Sequence, residues 1–185
     1  MDGVLADLTP RLVEFHNFTY KTTFKIVDYA NYELSEVWQC SIEQKIKRIH
    51  QFYNSPYFKK ITPLLDALPR VKYLSRKHSL ILVTSRPHFI ETSSQAWLNK
   101  YFPQQFSKII HTNQITQKHE QKKSKSEICE EEKIEVMIED ALEYAIDCAN
   151  KGIKVLLLNT VWNQKEKLPK NIKRVFNWEE IIRAI

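Results

Sequence analysis

Short apolar runs alternate with longer amphipathic stretches along most of the chain. The runs are nearly continuous and do not alternate with polar residues, which is typical of strands that are covered on both faces. Because strand-like runs and helix-like stretches take turns, the pattern predicts a parallel α/β sheet with right-handed crossovers. The predicted strands cover residues 79–83, 108–111, 136–138, 153–158 and 174–176.

Several helix boundaries are indicated by individual residues or pairs of residues. Ser41 and Gln44 have the spacing of a capping box, in which two side chains satisfy the first backbone N–H groups of a helix. Pro63 and Pro87 are candidates for the first turn of a helix. Gly152 follows a helical stretch and supplies its end.

The segment from residue 15 to residue 61 does not follow the strand and helix rhythm. It is helix-prone and rich in aromatic residues. We interpret most of these rings as the core of this segment and a minority as candidates for stacking on a substrate base. The rings are Phe15, Phe18, Tyr20, Phe24, Tyr29, Tyr32, Trp38, Phe52, Tyr53, Tyr57 and Phe58.

Length and composition limit the class of protein. A chain of 185 residues can bury one substantial core, and 43% hydrophobic residues is ordinary for a soluble domain. No apolar stretch approaches the ~20 residues that cross a bilayer, and no apolar leader opens the chain, so we expect a cytoplasmic protein without a membrane partner. Cys40, Cys129 and Cys148 lack the paired spacing of a zinc site, which indicates reduced thiols.

The positive charge favours phosphorylated ligands. A net charge of +6 attracts nucleic acid or a small phosphorylated molecule. A nucleic-acid binder would carry a contiguous basic stripe, but the lysines are scattered, so we expect no nucleic-acid partner. The polar stretch 113–124 is predicted to be a loop. The chain has only 2 glycines, which excludes a glycine-rich phosphate loop.

Chemically active side chains open the chain, follow two of the apolar runs and begin one helical stretch. Because the carboxyl ends of parallel strands meet at one edge of a sheet, we expect these side chains to converge on one crevice. The four segments are Asp2-Gly3-Val4-Leu5-Ala6-Asp7, Val83-Thr84-Ser85-Arg86-Pro87, Lys125-Ser126-Glu127-Ile128-Cys129 and Ile138-Glu139-Asp140.

The order and content of these segments resemble the four motifs of the haloacid dehalogenase-like superfamily. Together with the late Val161-Trp162-Asn163, they resemble its 5′(3′)-deoxyribonucleotidase-like branch over essentially the whole chain. The resemblance implies a doubly wound parallel sheet, formed by residues 1–14 and 62–185, with residues 15–61 as a small helical cap inserted after the first motif. It also implies a magnesium-dependent phosphomonoesterase that acts on (deoxy)nucleoside monophosphates through an aspartyl phosphate, and it allows a homodimer.

The resemblance gives the two acidic motifs their roles. Asp2 would be the general acid and base, protonating the leaving group and then activating water. Asp140 would bind Mg²⁺ together with the backbone carbonyl of Asp2, and Glu139 would orient a metal-bound water. The alternative for Glu139 and Asp140 is a pair of acids that favours the dipole of a helix N-terminus.

The hydroxyl motif would bind the phosphate. Thr84 would donate its hydroxyl to a phosphate oxygen, as a catalytic and substrate-binding residue. Ser85 and Arg86 would reach the phosphate or the sugar. The alternative for Ser85 is a helix cap, and Arg86 can also form two hydrogen bonds to a carboxylate such as Asp7.

The resemblance favours Lys125 as the catalytic lysine that pairs with the nucleophile and the phosphate. Lys122 and Lys123 compete for this role, because the register of a polar loop is poorly fixed. A solvated lysine is the other alternative for Lys125. Trp162 and Asn163 follow a predicted strand and could line the rim of the crevice, with packing as the alternative for Trp162.

One member of the first motif is expected upstream of the chain. In the superfamily the motif reads Asp-x-Asp-Gly, and Met1 falls on the x, so the attacking aspartate and its strand would precede Met1. We therefore expect little or no turnover from the chain that begins at Met1. The alternative function is a catalytically dead nucleotide- or phosphate-binding regulatory protein of the same fold.

Overall fold

The computed structural model describes residues 1–30, 33–112, 123–164 and 167–185. The described strands are β1 Ile81–Thr84, β2 Lys108–His111, β3 Val136–Glu139, β4 Lys154–Leu158 and β5 Ile172–Val175. The described α-helices are α1 Leu8–Tyr20, α2 Leu34–Val37, α3 Ile42–Tyr53, α4 Pro56–Lys59, α5 Ala67–Leu74, α6 Glu91–Tyr101, α7 Lys125–Glu131, α8 Leu142–Asn150 and α9 Trp178–Ala184. Short 3₁₀ turns cover Ile26–Ala30 and His88–Ile90. None of the helices in these ranges combines the length and apolar character of a bilayer span.

The strand pairs in the described ranges are parallel, as predicted. They form two sheets, one of β1 and β2 and one of three strands in which β4 lies between β3 and β5. The register places Leu82 beside Ile109 and Met137 beside Val155. The strand boundaries differ from the predicted ones by one or two residues at several ends, and β1 and β3 each end on a residue with candidate chemistry, Thr84 and Glu139.

Helices cover both faces of the three-stranded sheet, as expected for a doubly wound arrangement. Successive residues of β4 alternate between two cores. Val155 and Leu157 pack with Cys148 of α8, while Leu156 and Leu158 pack with Ile181 of α9. The second core also contains Met1, Leu5 and Leu82 and so joins both sheets to the start of the chain.

Two of the predicted helix boundaries are confirmed. Ser41 and Gln44 form the capping box at the start of α3, with both reciprocal hydrogen bonds present. Gly152 lies just beyond α8 with a φ of 81°, a left-handed conformation that glycine adopts without steric cost.

The prediction that Pro63 opens a helix is wrong. The segment around Pro63 is held extended, because Leu64 donates its N–H to Leu5 O and Thr62 accepts from Asp7 N. Pro63 therefore pairs with the first motif in an isolated bridge, and α5 begins further along the chain. Pro87 does precede a helical turn, the 3₁₀ turn that leads into α6.

The segment 15–61 contains the second half of α1 and all of α2 to α4, built around an aromatic core. Phe15 and Phe52 pack with ring centroids 5.6 Å apart, and Phe58 lies in the same cluster. Phe18 is the exception, because it is 66% exposed. Tyr32 lies outside the described residues. The predicted boundary between residues 14 and 15 falls inside α1, and the division into core and cap stays a prediction.

His16 is a buried polar residue within this aromatic core. Arg48 NH1 donates to His16 Nε2 at 3.1 Å, and Nδ1 therefore carries the proton and donates to Thr22 Oγ1 at 2.9 Å. The ring stacks on Trp38 with centroids 4.6 Å apart. Burial, assisted by the charge of Arg48, lowers the pKa of His16 to about 4.

Acid should loosen this core through His16. Its pKa falls from 6.5 to about 4 on folding. Between these two pH values the unfolded chain takes up a proton at His16 that the folded protein does not, so the free energy of unfolding falls as the pH drops through this interval. Replacing His16→Gln should flatten the dependence of the melting temperature on pH between these values. His78→Gln, at an exposed position, is the control and should leave the slope unchanged. Equal slopes for wild type and His16→Gln would contradict the assignment.

Candidate active site

The candidate side chains line one cavity at the carboxyl ends of β1 and β3. The cavity has a volume of about 490 Å³ and is covered from the side of α1 and α3 by aliphatic residues that include Leu12 and Ile46. Its other wall contains the motif residues predicted from the sequence. These are Asp2, Thr84, Ser85, Arg86, Lys125, Glu139 and Asp140.

Arg86 is paired with Asp2. Its Nε and NH2 donate to the two carboxylate oxygens of Asp2 at 2.9 and 2.6 Å, and its NH1 donates to Ser94 Oγ at 3.1 Å. The interpretation in which Arg86 bonds Asp7 is therefore wrong: the carboxylate it bonds is the acid at the start of the first motif. Burial would raise the pKa of Asp2, but the charge and hydrogen bonds of Arg86 outweigh it and hold that pKa below its usual value.

Lys125 and Glu139 form a buried ion pair. Lys125 Nζ donates to Glu139 Oε2 at 2.6 Å, and both side chains are less than a tenth exposed, at 7% and 4%. Burial would lower the pKa of Lys125, but the charge of Glu139 raises it above the ordinary value. The other oxygen of Glu139 accepts from Asp140 N at 3.1 Å and Ala141 N at 3.2 Å. The pair therefore fixes the lysine against the end of β3.

Helix capping places Lys125 at this position. Ser124 and Glu127 form a reciprocal capping box, so α7 begins at Lys125 and its ammonium enters the cavity. The spacing of Ser124 and Glu127 was a usable signal in the sequence. Lys123 instead forms an exposed ion pair with Glu131, and Lys122 lies outside the described residues.

Asp140 follows Glu139 into the same buried space. Burial, followed by the negative charge of Glu139, raises the pKa of Asp140 to about 8. Trp162 Nε1 donates to Asp140 Oδ2 at 3.1 Å, and Asn163 Nδ2 donates to the Asp140 carbonyl at 2.7 Å. Trp162 and Asn163 thus contact the acidic motif directly, beyond the rim or packing position expected for them.

Gly3 gives the Asp140 carboxylate its space. Gly3 has a φ of 70°, and a Cβ atom on it would lie 2.0 Å from Asp140 Oδ2. A glycine is therefore required both for the backbone conformation and for the close approach of the carboxylate. The sequence contains this signal, the glycine directly after Asp2, but does not show what it contacts.

The hydroxyl motif closes the cavity between these groups. Thr84 is 2% exposed, and its Oγ1 accepts from Arg86 N at 3.3 Å. Ser85 Oγ accepts from Thr112 Oγ1 at 3.3 Å. The interpretation of Ser85 as a helix cap is wrong, because Pro87 stands at the start of the 3₁₀ turn that follows and Ser85 bonds a neighbouring loop.

The donor set fits a hard cation that keeps several waters. Within the described ranges no group of three His, Cys, Asp or Glu residues is arranged to hold a metal. Mg²⁺ does not require such a group, because it is bound by one or two carboxylates, substrate phosphates and water. The buried carboxylate of Asp140, whose pKa is raised by burial and then by the charge of Glu139, is suited to that role beside the backbone carbonyl of Asp2.

Comparison with protein families gives a match over the whole chain. A family model described as 5′ nucleotidase, deoxy (Pyrimidine), cytosolic type C protein matches residues 1–185. A curated protein named a nucleotidase, from Clostridium acetobutylicum, is 24% identical over 185 residues, which cover 98% of this chain and 88% of that protein.

Solved structures share the fold at low identity. A haloacid dehalogenase-like family hydrolase from Streptococcus pneumoniae is similar with a TM-score of 0.72 at 12% identity, covering 100% of this chain and 94% of that one. Protein Tyrosine Kinase A from Mycobacterium tuberculosis gives a TM-score of 0.74 at 15% identity, with 100% and 94% covered. A HAD phosphatase from Thermococcus onnurineus gives 0.61 at 14%, also with 100% and 94% covered.

Removing the buried lysine should be costly, while removing an exposed one should not. Lys125→Met leaves Glu139 buried without its partner, and we expect the free energy of unfolding at neutral pH to fall by ~3–5 kcal/mol. Lys123→Met, which breaks an exposed pair, should cost less than ~1 kcal/mol. The double variant Lys125→Met with Glu139→Gln should recover part of the loss in urea titrations. Similar losses for the two single variants would contradict this account of the site.

Proposed function

Because the chain belongs to the 5′ nucleotidase, deoxy (Pyrimidine), cytosolic type C family, and so to the phosphatase and nucleotidase class of hydrolases, we propose that it is a magnesium-dependent phosphomonoesterase acting on (deoxy)nucleoside monophosphates. The observation that carries the proposal is the convergence of Asp2, Thr84, Lys125 and Asp140 on one cavity. The word cytosolic in the family description supports a cytoplasmic location. A homodimer stays a prediction.

The cationic and hydroxyl groups would bind the phosphate. Thr84 would donate its hydroxyl, and the Lys125 ammonium would offset the negative charge that develops as two anionic groups approach. Lys125 keeps its charge, because Glu139 raises its pKa. A bound magnesium ion would add positive charge at the transferring phosphoryl group, with Asp140 and the Asp2 carbonyl as its ligands. We propose that Glu139 has two roles: it would hold Lys125, and it would orient a metal-bound water.

Asp2 would move the proton. As the bond between phosphorus and the leaving oxygen breaks, Asp2 would donate a proton to that oxygen, and it would later accept one from the water that attacks the phosphorylated aspartate. Arg86 orients the Asp2 carboxylate through two hydrogen bonds and keeps it ionised in the free protein. The approach of the phosphate charge would raise the pKa of Asp2 and so allow it to carry the proton.

The attacking carboxylate is proposed to come from the residue before Met1. Met1 lines the cavity, and its amino group lies among the charges of Lys125, Asp2, Glu139 and Asp140. A residue joined to that amino group would therefore enter the same space. Asp2 is a poor substitute for it, because both of its oxygens are bonded to Arg86.

The cavity wall formed by the segment 15–61 supports a substrate with an apolar, planar part. Along α3 this wall presents Ile42, Ile46 and Ile49, one turn apart, and the ring of Tyr53 follows at the end of the helix. Of the aromatic residues in the described part of the segment, Tyr29, Phe52 and Tyr53 line the cavity, and Tyr53 is the one of these three that is only half-buried. Tyr53 is accordingly the ring proposed to contact the base.

Adding the upstream aspartate should restore catalysis. A chain extended by an apolar strand that ends in Asp immediately before Met1 should release phosphate from an aryl phosphate in the presence of Mg²⁺. The chain that begins at Met1 should not, because it lacks the attacking carboxylate. The control carries Asn at the added position and should be inactive. Robust turnover by the chain from Met1, lost on Asp2→Asn, would overturn the assignment of the nucleophile.

The active, extended protein should prefer nucleotides. Stacking on an aromatic ring contributes ~1–3 kcal/mol per base, which corresponds to ~5- to 150-fold in kcat/KM for nucleoside monophosphates over sugar phosphates if it is realised in the transition state. Tyr53→Leu should reduce this preference, whereas Phe18→Leu, at a ring that is 66% exposed, should not. Equal activity on nucleotides, sugar phosphates and aryl phosphates would remove the nucleotide from the proposal and leave a phosphatase of another substrate.

A further inference from the structure

Trp162 contacts the carboxylate proposed to bind the metal, and it does so with a specific atom. Its indole Nε1 donates to Asp140 Oδ2 at 3.1 Å. The chain has 4 tryptophans, and the other three donate their indole N–H to uncharged oxygens. Those bonds run from Trp38 to Tyr29 Oη, from Trp97 to Ile61 O and from Trp178 to Val4 O.

The same carboxylate oxygen is also the one that packs against Gly3. A Cβ atom placed on Gly3 would lie 2.0 Å from Asp140 Oδ2 and 3.1 Å from Oδ1. Oδ2 rather than Oδ1 therefore occupies the space that a side chain at position 3 would fill. With the indole N–H as a second neighbour, Oδ2 has less free space for an ion than Oδ1.

The backbone of Asp140 is fixed as well. Asn163, which is 0% exposed, donates from Nδ2 to the carbonyls of Asp140 and Leu158, at 2.7 Å each. Arg174 NH1 in turn donates to Asn163 Oδ1 at 2.6 Å. Because Asn163 holds both the end of β4 and the residue after β3, the carboxylate of Asp140 can change its orientation only by rotation of its side chain. The Trp162 indole opposes that rotation.

We propose that Trp162 is a positioning residue that keeps Asp140 a ligand through one oxygen and thereby favours Mg²⁺ over Ca²⁺. The inference rests on the proposed function, since it concerns the same metal. Mg²⁺ demands a near-ideal octahedron, to which a carboxylate contributes one oxygen, whereas Ca²⁺ accepts both oxygens of a carboxylate and a more flexible geometry. An indole N–H on Oδ2 disfavours the two-oxygen mode and leaves Oδ1 for the ion.

The test measures ion binding by the full chain without any turnover. Mg²⁺ and Ca²⁺ are titrated separately by calorimetry into wild type and Trp162→Phe, with inorganic phosphate present throughout. Loss of a partner that orients a metal ligand typically costs ~10- to 100-fold in affinity, so the Kd for Mg²⁺ should rise ~10-fold, while the Kd for Ca²⁺ should stay within ~3-fold or fall. Trp97→Phe, which also loses one indole hydrogen bond, should change neither constant.

Two further variants separate the possible failures. Trp162→His keeps a ring N–H and should recover part of the Mg²⁺ preference, which a role in packing alone would not predict. Asp140→Asn should weaken both ions; if it changes neither, the metal site itself is misassigned and the proposed function falls with it. If Asp140→Asn weakens both ions but Trp162→Phe changes the two constants equally or not at all, only the role of Trp162 is overturned.

Discussion

The candidate site is organised around two carboxylates buried side by side at the end of β3. Glu139 and Asp140 cannot both remain ionised in an apolar environment without nearby positive charge. Lys125 compensates Glu139 through a hydrogen bond of 2.6 Å, and the pKa of Asp140 then rises to about 8. A cation bound beside Asp140 would offset the negative charge of this carboxylate, in keeping with the proposed function.

This balance depends on contacts from distant parts of the chain. The lysine comes from the first turn of α7, the close approach at Asp140 requires the glycine at position 3, and the clamp on its carbonyl comes from Asn163 beyond β4. On the opposite side, Arg86 fixes Asp2 by two hydrogen bonds. The fold brings these groups together because the carboxyl ends of β1 and β3, from the two parallel sheets, face the same cavity. Protein Tyrosine Kinase A shares this fold, so the fold alone does not define the reaction.

Much of this arrangement could be predicted from the sequence, for identifiable reasons. Apolar runs predicted β1 to β5. The residues at the ends of β1 and β3 were recognisable as site candidates because each apolar run is followed by a hydroxyl or an acid. The partner of Arg86 was not predictable: the sequence allowed it to bond Asp7, but the fold brings the carboxylate of Asp2 within reach of its Nε and NH2. The contacts of Trp162 and Asn163 with Asp140 were also hidden, because they join residues more than twenty positions apart across a loop whose course the pattern does not specify.

The central claim is that Thr84, Lys125 and Asp140 form one binding site for a phosphoryl group and a divalent cation. Tungstate, an electron-dense analogue of phosphate, tests it most directly when soaked with Mg²⁺ into crystals of this chain. The account predicts an anomalous tungsten peak inside the cavity, within hydrogen-bonding distance of the Thr84 hydroxyl and the Lys125 ammonium, and density for the cation beside Asp140. A tungsten peak elsewhere, with the cavity holding only water at saturating tungstate, would contradict it.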